Sequence, residues 1–477
     1  MTKKKLYLTT AIPYVNAAPH IGHALEYVIA DAIHRHLELQ GHDVLIVSGA
    51  DENALKNVQA AEKAGVPVQN FLDKNSQIFA DFYKALEVDL DEFRRGTDKK
   101  YHWPGVQKLW ALADATGDIY KKKYKGLYCV GCEEFKTEKD LVGGICPAHN
   151  KKPEVVEEEN YFFRLSKYQD KLLNLIDSDT YKIFPQKRKN EVVSFIKSGL
   201  EDFSISRSNE RARGVGVPVP GDESQKIYVW FDALTIYMTG VGWGYDEKLW
   251  RRWWPADLHI IGKDIIRFHA VYWPAMLLSA GLPLPKALLV HGFISSGGRK
   301  MSKTLGNVID PYAVIKKYGV EPLRYFLLSQ IPTLDDGDFT VEAFKSVYQA
   351  DLANGLGNLA ARLAKLCEQV EIDKSYVPRF PDDYKKDIEQ YRLNNVLQII
   401  RGEIKSLDKY INDKEPWNIK DKNKLKEILQ PAVNRIRQVA FELKPFFPET
   451  SQKIEKQFAG PQIKSGKPLF PRHDKRG

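Results

Sequence analysis

The chain has 477 residues, of which 43% are hydrophobic and 28% charged, and its formal net charge is +9. This composition is typical of a soluble globular protein, and no apolar run approaches the roughly 18 residues of a membrane span. The apolar stretch after the lysines at positions 3–5 is too short for a signal peptide, so we expect a cytoplasmic location. The positive charge favours an anionic partner such as a nucleic acid but does not prove one.

The first fifty residues have the pattern of a strand, a helix and a second strand. Residues 5–11 are apolar and β-prone, apolar residues recur at helical spacing from Ile21 to Leu37, and residues 44–47 predict a buried strand. This order is typical of a parallel sheet covered by helices. No Gly-x-Gly-x-x-Gly follows the first strand, which disfavours an NAD-dependent enzyme.

Later segments predict that this sheet is interrupted and then completed. A glycine-rich module follows the helical patterns that end near residue 115, and sheet-like segments return at 227–230, 258–261 and 288–290. From about residue 346, glycine becomes sparse and apolar residues repeat with a 3.6-residue period, which predicts a helix bundle. The basic tail after Pro461 is expected to be loosely held.

Two histidines lie at the junction between the first predicted strand and the first predicted helix. In His20-Ile21-Gly22-His23 the imidazoles share one face of a helix N terminus, where backbone N–H groups and the helix dipole attract anions. Gly22 lets a nucleotide approach closely, and the imidazoles can donate hydrogen bonds to a phosphoryl group as negative charge develops on it. The alternative is a helix start with two incidental histidines.

A second basic element occurs near residue 300. Lys300 and Lys303 lie three residues apart beside the pair Gly297-Gly298, on a loop that is expected to be flexible enough to close over a polyphosphate. Closure would exclude water and add positive charge where pyrophosphate leaves. The alternative is a solvated surface loop, but the two elements together are more specific than either alone.

Three of the four cysteines crowd into the glycine-rich module, which is not the pattern of a secreted disulfide framework. Cys129 and Cys132, followed by Cys146 and His149, give four soft ligands at zinc-knuckle spacing. Four protein ligands leave no open position, so the prediction is one structural Zn²⁺ that stabilises a module with little core of its own. Free thiols beside an incidental histidine are the alternative.

The two basic elements together resemble the His-Ile-Gly-His and Lys-Met-Ser-Lys-Ser signatures of class I aminoacyl-tRNA synthetases, with Thr304 in the last place. The resemblance implies that His20, His23, Lys300 and Lys303 stabilise the transition state when an amino acid attacks the α-phosphate of ATP. It also implies that Gly22 and Asp264 join these four residues in binding ATP, which enters with Mg²⁺.

Further segments narrow the resemblance to methionyl-tRNA synthetases along nearly the whole chain. The matching blocks are residues 11–16, 49–52, 228–233, 262–265 and 268–269, and Arg207 matches a family arginine near the site. The residues that the resemblance implies around methionine are Ala11, Ile12, Tyr14, Asp51, Trp230, Tyr237, Ile265 and His269. Asp51 would hold the ammonium group, and an aromatic box with hydroxyl or imidazole donors suits a polarizable thioether. Asn53 and Ala54 depart from the family's His-Gly, so altered local hydrogen bonding is expected there without loss of activity.

Two elements of the predicted bundle resemble the anticodon-reading parts of the same family. Asn358 and Arg362 lie one helical turn apart, and Trp417 follows a proline-marked bend. Asparagine and arginine can bond base edges, and an indole can stack on an unpaired base. The alternative is a tryptophan of the bundle core with two surface polar residues.

The resemblance implies an α/β fold in which a Rossmann-type parallel-sheet catalytic domain is split by a zinc-containing insertion and followed by an α-helical bundle. The predicted boundaries are 1–115 and 226–295 for the catalytic halves, 116–225 for a connective insertion with the knuckle at about 126–152, 296–345 for the lysine loop and stem contact, and 346–477 for the anticodon-binding bundle.

The implied activity is ligation of L-methionine to tRNA(Met) through methionyl-adenylate, by a cytoplasmic monomer without membrane contact. Another class I synthetase, such as a cysteinyl enzyme, is disfavoured by the Trp230 block and the Cys-Cys-Cys-His set. A non-catalytic tRNA-binding paralogue is disfavoured by the intact histidine and lysine pairs.

Overall fold

The computed structural model describes residues 3–132, 134–136, 138–148, 150–301 and 307–472, with the side chain of Lys300 outside that description. The strands are β1 Lys5–Thr10, β2 Asp43–Ala50, β3 Glu92–Arg95, β4 Ile119–Cys129, β5 Glu134–Lys136, β6 Glu154–Phe163, β7 Lys182–Phe184, β8 Phe203–Ser204, β9 Ser206–Ser208, β10 Pro218–Val219, β11 Asp222–Ile227, β12 Leu258–Gly262, β13 Ala287–His291, β14 Ile294–Ser296, β15 Arg299–Lys300 and β16 Gly337–Asp338.

The α-helices are α1 Ile21–Leu39, α2 Leu55–Ala64, α3 Val68–Ala85, α4 Trp103–Ala115, α5 Gln169–Asp177, α6 Gln186–Lys197, α7 Val229–Thr239, α8 Glu247–Trp253, α9 Trp273–Ser279, α10 Pro311–Tyr318, α11 Val320–Gln330, α12 Val341–Val347, α13 Asn358–Cys367, α14 Asp382–Ile388, α15 Leu393–Lys414, α16 Lys422–Leu443 and α17 Pro448–Gln457. Two π-helical segments, Phe268–Tyr272 and Tyr348–Gly357, precede α9 and α13. Among the described residues, no helix is both long enough and apolar enough to cross a bilayer.

The chain forms two compact units. The first comprises Met1–Pro19, Gly41–Lys84 and Val88–His291, and the second comprises His20–Gln40, Ala85–Glu87 and Gly292–Gly477. Helix α1 therefore groups with the C-terminal part of the chain, although β1 and β2 on either side of it in sequence belong to the first unit. The domain boundaries given above stay predictions.

The first unit is built on a parallel sheet, as the sequence predicted. Within the described residues, six strands pair in the order β3-β2-β1-β12-β13-β7, and every pairing is parallel. The central strands are buried along most of their length, which is why they read as continuous apolar runs. Strand order reverses between β1 and β12, and in such sheets ligands bind beyond the carboxyl ends of the strands at that point.

The segment between the two halves of the sheet contains antiparallel structure. Strands β5-β4-β6-β8 form one sheet, in which β4 and β6 pair over most of their length, and β10-β11-β9 form another. The interrupted parallel sheet, the inserted antiparallel module and the helical C-terminal region confirm the predicted fold class. The three-residue strand β7 lies in this middle segment yet joins the parallel sheet, and the sequence analysis missed it.

The prediction that 227–230 forms a strand of the parallel sheet is wrong. Strand β11 ends at Ile227 and belongs to the small antiparallel sheet, and α7 begins at Val229. Every residue of α7 is buried. The first turn, Val229-Trp230-Phe231, is an apolar run in a helix that is buried on every side, so it cannot be told from a buried strand by pattern alone.

The second unit contains the short sheet β15-β14-β16 and the C-terminal helices. The leucines that repeat between 352 and 366 are buried, in agreement with the predicted bundle. The prediction of a loosely held tail is wrong for the part of it described here. Ile463 and Phe470 are buried, and the Tyr348 hydroxyl donates to the carbonyl of Pro471. The prediction rested on the basic composition of the tail, which gives no sign that Ile463 and Phe470 are buried.

Candidate active site

The residues predicted around methionine cluster past the carboxyl ends of β1, β2 and β12. Ala11, Ile12 and Tyr14 follow β1, and all three pack against the core of the first unit. Tyr14 forms a parallel bridge with Asp51, the residue after β2, and the Asp51 N–H donates to the carbonyl of Pro13 at 2.9 Å. Asp51 is 3% exposed. The sheet therefore brings the two loops to one edge, where the reversal of strand order predicts a ligand site.

Three aromatic side chains form one wall of this cluster. The rings of Tyr14 and Trp230 meet edge to face, with centroids 6.1 Å apart and planes at 88°. Trp230 in turn stacks on Phe268, with centroids 3.7 Å apart and planes 5° from parallel. Phe268 lies in a segment that matches the family, but the resemblance implies no role for it, and its stacking on Trp230 depends on the tertiary structure.

A hydrogen-bonded pair of buried side chains adjoins that wall. The Tyr237 hydroxyl lies 2.8 Å from His269 Nε2, and His269 Nδ1 lies 3.0 Å from the carbonyl oxygen of Ile265. Burial lowers the pKa of His269 to about 4, so the ring is neutral at pH 7. Because a carbonyl only accepts, Nδ1 carries the proton, and Tyr237 must donate to Nε2. The cluster thus holds a fixed, uncharged imidazole.

His259 extends the same cluster and was not predicted. Its ring lies 4.5 Å from that of Tyr237, and its Nδ1 is hydrogen-bonded to the hydroxyl of Thr9. Its Nε2 is buried and has no hydrogen-bond partner among the described residues. Burial, reinforced by His269, lowers the pKa of His259, so this ring is also neutral.

The departure from the family pattern at Asn53 has a structural consequence. Asn53 Nδ2 donates to Asp232 at 2.6 Å and to the carbonyl of Gly96 at 2.9 Å. The other oxygen of Asp232 lies 2.6 Å from Nε2 of the fully buried His102. Since Asp232 lies two residues after Trp230 in α7, this network fixes the helix that carries the pocket tryptophan.

Asp264 lies just after β12, in the same connection as Ile265. Its side chain is exposed, and its Oδ1 lies only 2.9 Å from where a Cβ on Gly262 would be. A Cβ at Gly262 would meet this carboxylate unless the Asp264 side chain turned away.

In the second unit, His20 and His23 cap the N terminus of α1. His20 Nδ1 accepts the Gly22 N–H, and His23 Nδ1 accepts the His20 N–H, both at 3.1 Å. In the neutral rings the proton is then on Nε2, which makes that atom a donor in each imidazole. A Cβ on Gly22 would lie 2.9 Å from the His20 ring, so glycine is required for the cap itself. The sequence prediction assigned these amides to phosphate, whereas here they bind the imidazoles.

The glycine pair near residue 300 forms a tight turn between two short strands, and the predicted closure of the following lysine loop stays a prediction. Gly297 and Gly298 have φ values of 63° and 71° and connect β14 to β15, so they make a two-residue hairpin turn of the kind that requires positive φ. The Gly298 N–H also donates to Asp338. This hairpin and the His20–His23 cap belong to the same compact unit. Lys303 and the side chain of Lys300 lie outside the described residues.

The cysteine cluster has the geometry of a metal site. The sulfur atoms of Cys129, Cys132 and Cys146 lie within 4.8 Å of one another, and those of Cys132 and Cys146 are 3.6 Å apart. Tetrahedral bonds of about 2.3 Å to one zinc would separate the sulfurs by about 3.8 Å. The three thiols therefore fit a single ion. His149 lies outside the described residues.

Arg207 lies beside this module. It is buried, it donates to Ser204 and to the carbonyl of Ser206, and its guanidinium lies 5.0 Å from the ring of Tyr128 and 4.5 Å from that of Tyr228. Tyr128 precedes Cys129, and Tyr228 precedes α7, so Arg207 ties the base of the cysteine module to the start of the tryptophan helix.

The three residues predicted to read an anticodon lie on the surface of the helical region. Asn358 is exposed at the start of α13, and Trp417 is 49% exposed, so Trp417 is not a tryptophan of the bundle core. The Arg362 guanidinium lies 5.0 Å from the Trp417 ring and is held by Asp408 and Asn412. Arg362 and Trp417 thus form one preassembled surface.

Residues 6–152 and 139–364 match a family model described as tRNA synthetases class I (M). The chain is 40% identical over 514 residues to the methionine–tRNA ligase of Brucella suis biovar 1, covering 99% of each chain. It is 40% identical over 510 residues to that of Clostridium acetobutylicum, covering 99% of this chain and 79% of the relative. A structure of Mycobacterium tuberculosis methionyl-tRNA synthetase in complex with methionyl-adenylate is similar at a TM-score of 0.91 and 38% identity, covering 98% of this chain and 100% of that chain.

Proposed function

The chain belongs to the class I tRNA synthetases of the M family, and from this premise we propose that it is a methionine–tRNA ligase. It activates L-methionine with ATP to methionyl-adenylate and pyrophosphate, then transfers the methionyl group to tRNA(Met). The family model and the similar ligases confirm the family resemblance that the histidine and lysine motifs indicated.

One observation carries the choice of methionine. The cluster of Tyr14, Trp230, Tyr237 and His269 is aromatic and uncharged, because burial holds the pKa of His269 at about 4. A thioether is polarizable and weakly accepting, so it suits aromatic faces and one fixed hydroxyl or imidazole. A lysine side chain would bury a second cation near the Lys56 ammonium, which lies 3.0 Å from the centroid of the Tyr14 ring. Asp51, at the edge of the cluster, supplies the carboxylate for the substrate ammonium group.

The adenylate-forming step is assigned to the two histidines and two lysines. The Nε2–H groups of His20 and His23 can donate to phosphate oxygens, and the cap that orients them supports this role. Lys300 and Lys303 would bind the leaving pyrophosphate, and the family resemblance also assigns Asp264 and Gly22 to ATP binding. Mg²⁺ would enter with ATP and neutralise phosphate charge.

A structural Zn²⁺ is proposed for Cys129, Cys132, Cys146 and His149. The sulfur geometry supports one tetrahedral ion. Four protein ligands would leave no coordination position open for water or substrate, so the site would be structural. The ion would fold the module and leave the chemistry of activation to other residues.

Recognition of the tRNA anticodon is assigned to Asn358, Arg362 and Trp417. An exposed indole beside a restrained guanidinium offers a stacking face and base-edge donors together, which supports reading of an unpaired base. The helices from residue 346 onward would then form the anticodon-binding domain. A monomer in the cytoplasm is part of the same proposal.

The deciding experiment is methionine-dependent exchange of labelled pyrophosphate into ATP. We expect exchange with methionine and far less with cysteine or leucine, since burial of a mismatched side chain costs about 1–3 kcal/mol per methylene. No exchange at any methionine concentration, with folded and zinc-loaded protein, would end the proposal. Charging of a CAU-anticodon tRNA by the same preparation tests the second step.

A further inference from the structure

Lys56 connects the cysteine module to the methionine cluster. It lies in the first turn of α2, and its Nζ lies 3.0 Å from the centroid of the Tyr14 ring. The same ammonium donates to the carbonyl of Gly131 at 3.2 Å. Gly131 is one of the two residues between the cysteines of the first ligand pair, and Tyr14 is the ring that meets Trp230 edge to face. One side chain therefore touches both sites.

A second contact joins the module to the opposite side of the same cluster. The Tyr272 hydroxyl donates to Glu134 at 3.3 Å, and Tyr272 ends the π-helical segment that carries Phe268 and His269. Glu134 begins β5, the strand that follows the first cysteine pair. The module is thus braced on the segment that bears Tyr14 and on the one that bears His269.

We propose that Lys56 is a positioning residue that transmits the metal-bound order of the cysteine module to Tyr14 and so sets the affinity for methionine. An ammonium over a ring face constrains the ring plane, and the constraint is strongest where water is displaced. The Gly131 carbonyl accepts from the ammonium in that position, and on this proposal an ion bound by the cysteine loop keeps the carbonyl there. The inference rests on the proposed function, because it takes Tyr14 as part of the methionine site.

Thermodynamic linkage gives the inference a reciprocal consequence. If the loaded module favours methionine binding, bound methionine must favour the loaded module by the same factor. Methionine should therefore slow the loss of zinc to a chelator, and this readout does not depend on catalysis.

The test compares Lys56→Met and Lys56→Arg with Lys63→Met, a matched control at an exposed lysine of the same helix. Loss of a partly desolvated cation–π contact and a charged hydrogen bond predicts about a tenfold rise in the methionine KM for exchange in Lys56→Met. The ATP KM and kcat should stay unchanged. Lys56→Arg should restore most of the loss, and Lys63→Met should match the unmodified chain.

Zinc release to a coloured chelator is measured in parallel, with and without saturating methionine. We expect methionine to protect the unmodified chain and Lys63→Met, and to protect Lys56→Met far less. Normal exchange with an unchanged methionine KM in Lys56→Met would overturn this inference and leave the proposed function intact. Absence of exchange in the unmodified chain would instead defeat the proposed function. If Lys56→Met does not fold, equal zinc release by the unmodified chain with and without methionine would overturn the inference.

Discussion

Replacement of Arg324 by methionine should destabilise the second unit far more than any exposed arginine would. Arg324 is fully buried in α11 and donates to the Asp31 carboxylate in α1. Three further N–H groups donate to the main-chain carbonyls of Leu86, Pro445 and Phe446. One guanidinium therefore joins the helix that begins at the histidine pair to the end of α16.

The magnitude follows from what the substitution leaves behind. Methionine fills much of the volume, but three buried carbonyls lose their donor and Asp31 loses its buried partner. Breaking a buried pair in this way costs about 3–5 kcal/mol. Asp31 keeps Arg35, which donates to the same carboxylate oxygen at 2.7 Å and whose side chain is 23% exposed. Arg35→Met is therefore the matched control, with an expected loss of about 1 kcal/mol or less.

Urea unfolding followed by circular dichroism measures both variants. With a slope of about 3 kcal/mol/M, Arg324→Met should lower the midpoint of the transition by about 1–1.7 M, and Arg35→Met by about 0.3 M or less. Equal midpoints for the two variants would refute the reasoning, because they would mean that burial and the three carbonyls add nothing to this ion pair.

The remaining predictions concern pH and the two steps of the proposed reaction. Because the folded pKa of His269 is about 4 and its ordinary value is 6.5, the unfolded state binds more protons between these values, and stability should fall as pH drops below 6.5 and stay constant above it. This group alone predicts a loss of about 2 kcal/mol between pH 7.5 and pH 5, which urea midpoints would measure and which His269→Gln should remove. Lys303→Ala should depress methionine-dependent exchange while equilibrium dialysis shows unchanged methionine binding, and weakened binding would contradict its assignment to pyrophosphate. Trp417→Ala should raise the tRNA KM for charging by about 10- to 100-fold, as expected for a lost base stack, and leave exchange intact. Equal charging by both proteins would exclude the stacking role.

Local sequence determined the elements whose physics is local. The buried strands β1, β2, β12 and β13 follow from continuous apolar runs, and the end of α1 follows from Gly41, whose φ is 85°. The spacing of Cys129, Cys132 and Cys146 predicts a shared ion because close pairs on short turns can converge without help from the rest of the chain.

Features that depend on distant partners could only be found in the tertiary structure. The hydrogen bond from Tyr237 to His269 and the contact of Lys56 with Gly131 each join residues far apart in sequence. The neutral state of the His269 imidazole follows from its burial in the folded protein. Their energies depend on burial and distance, which residue types do not encode. The same holds for α7, which is buried on every side and begins with an apolar run, and for the tail at Phe470, whose burial is decided by the surface it meets. A short sequence pattern fixes which groups are available, and packing decides which of them meet and in what charge state.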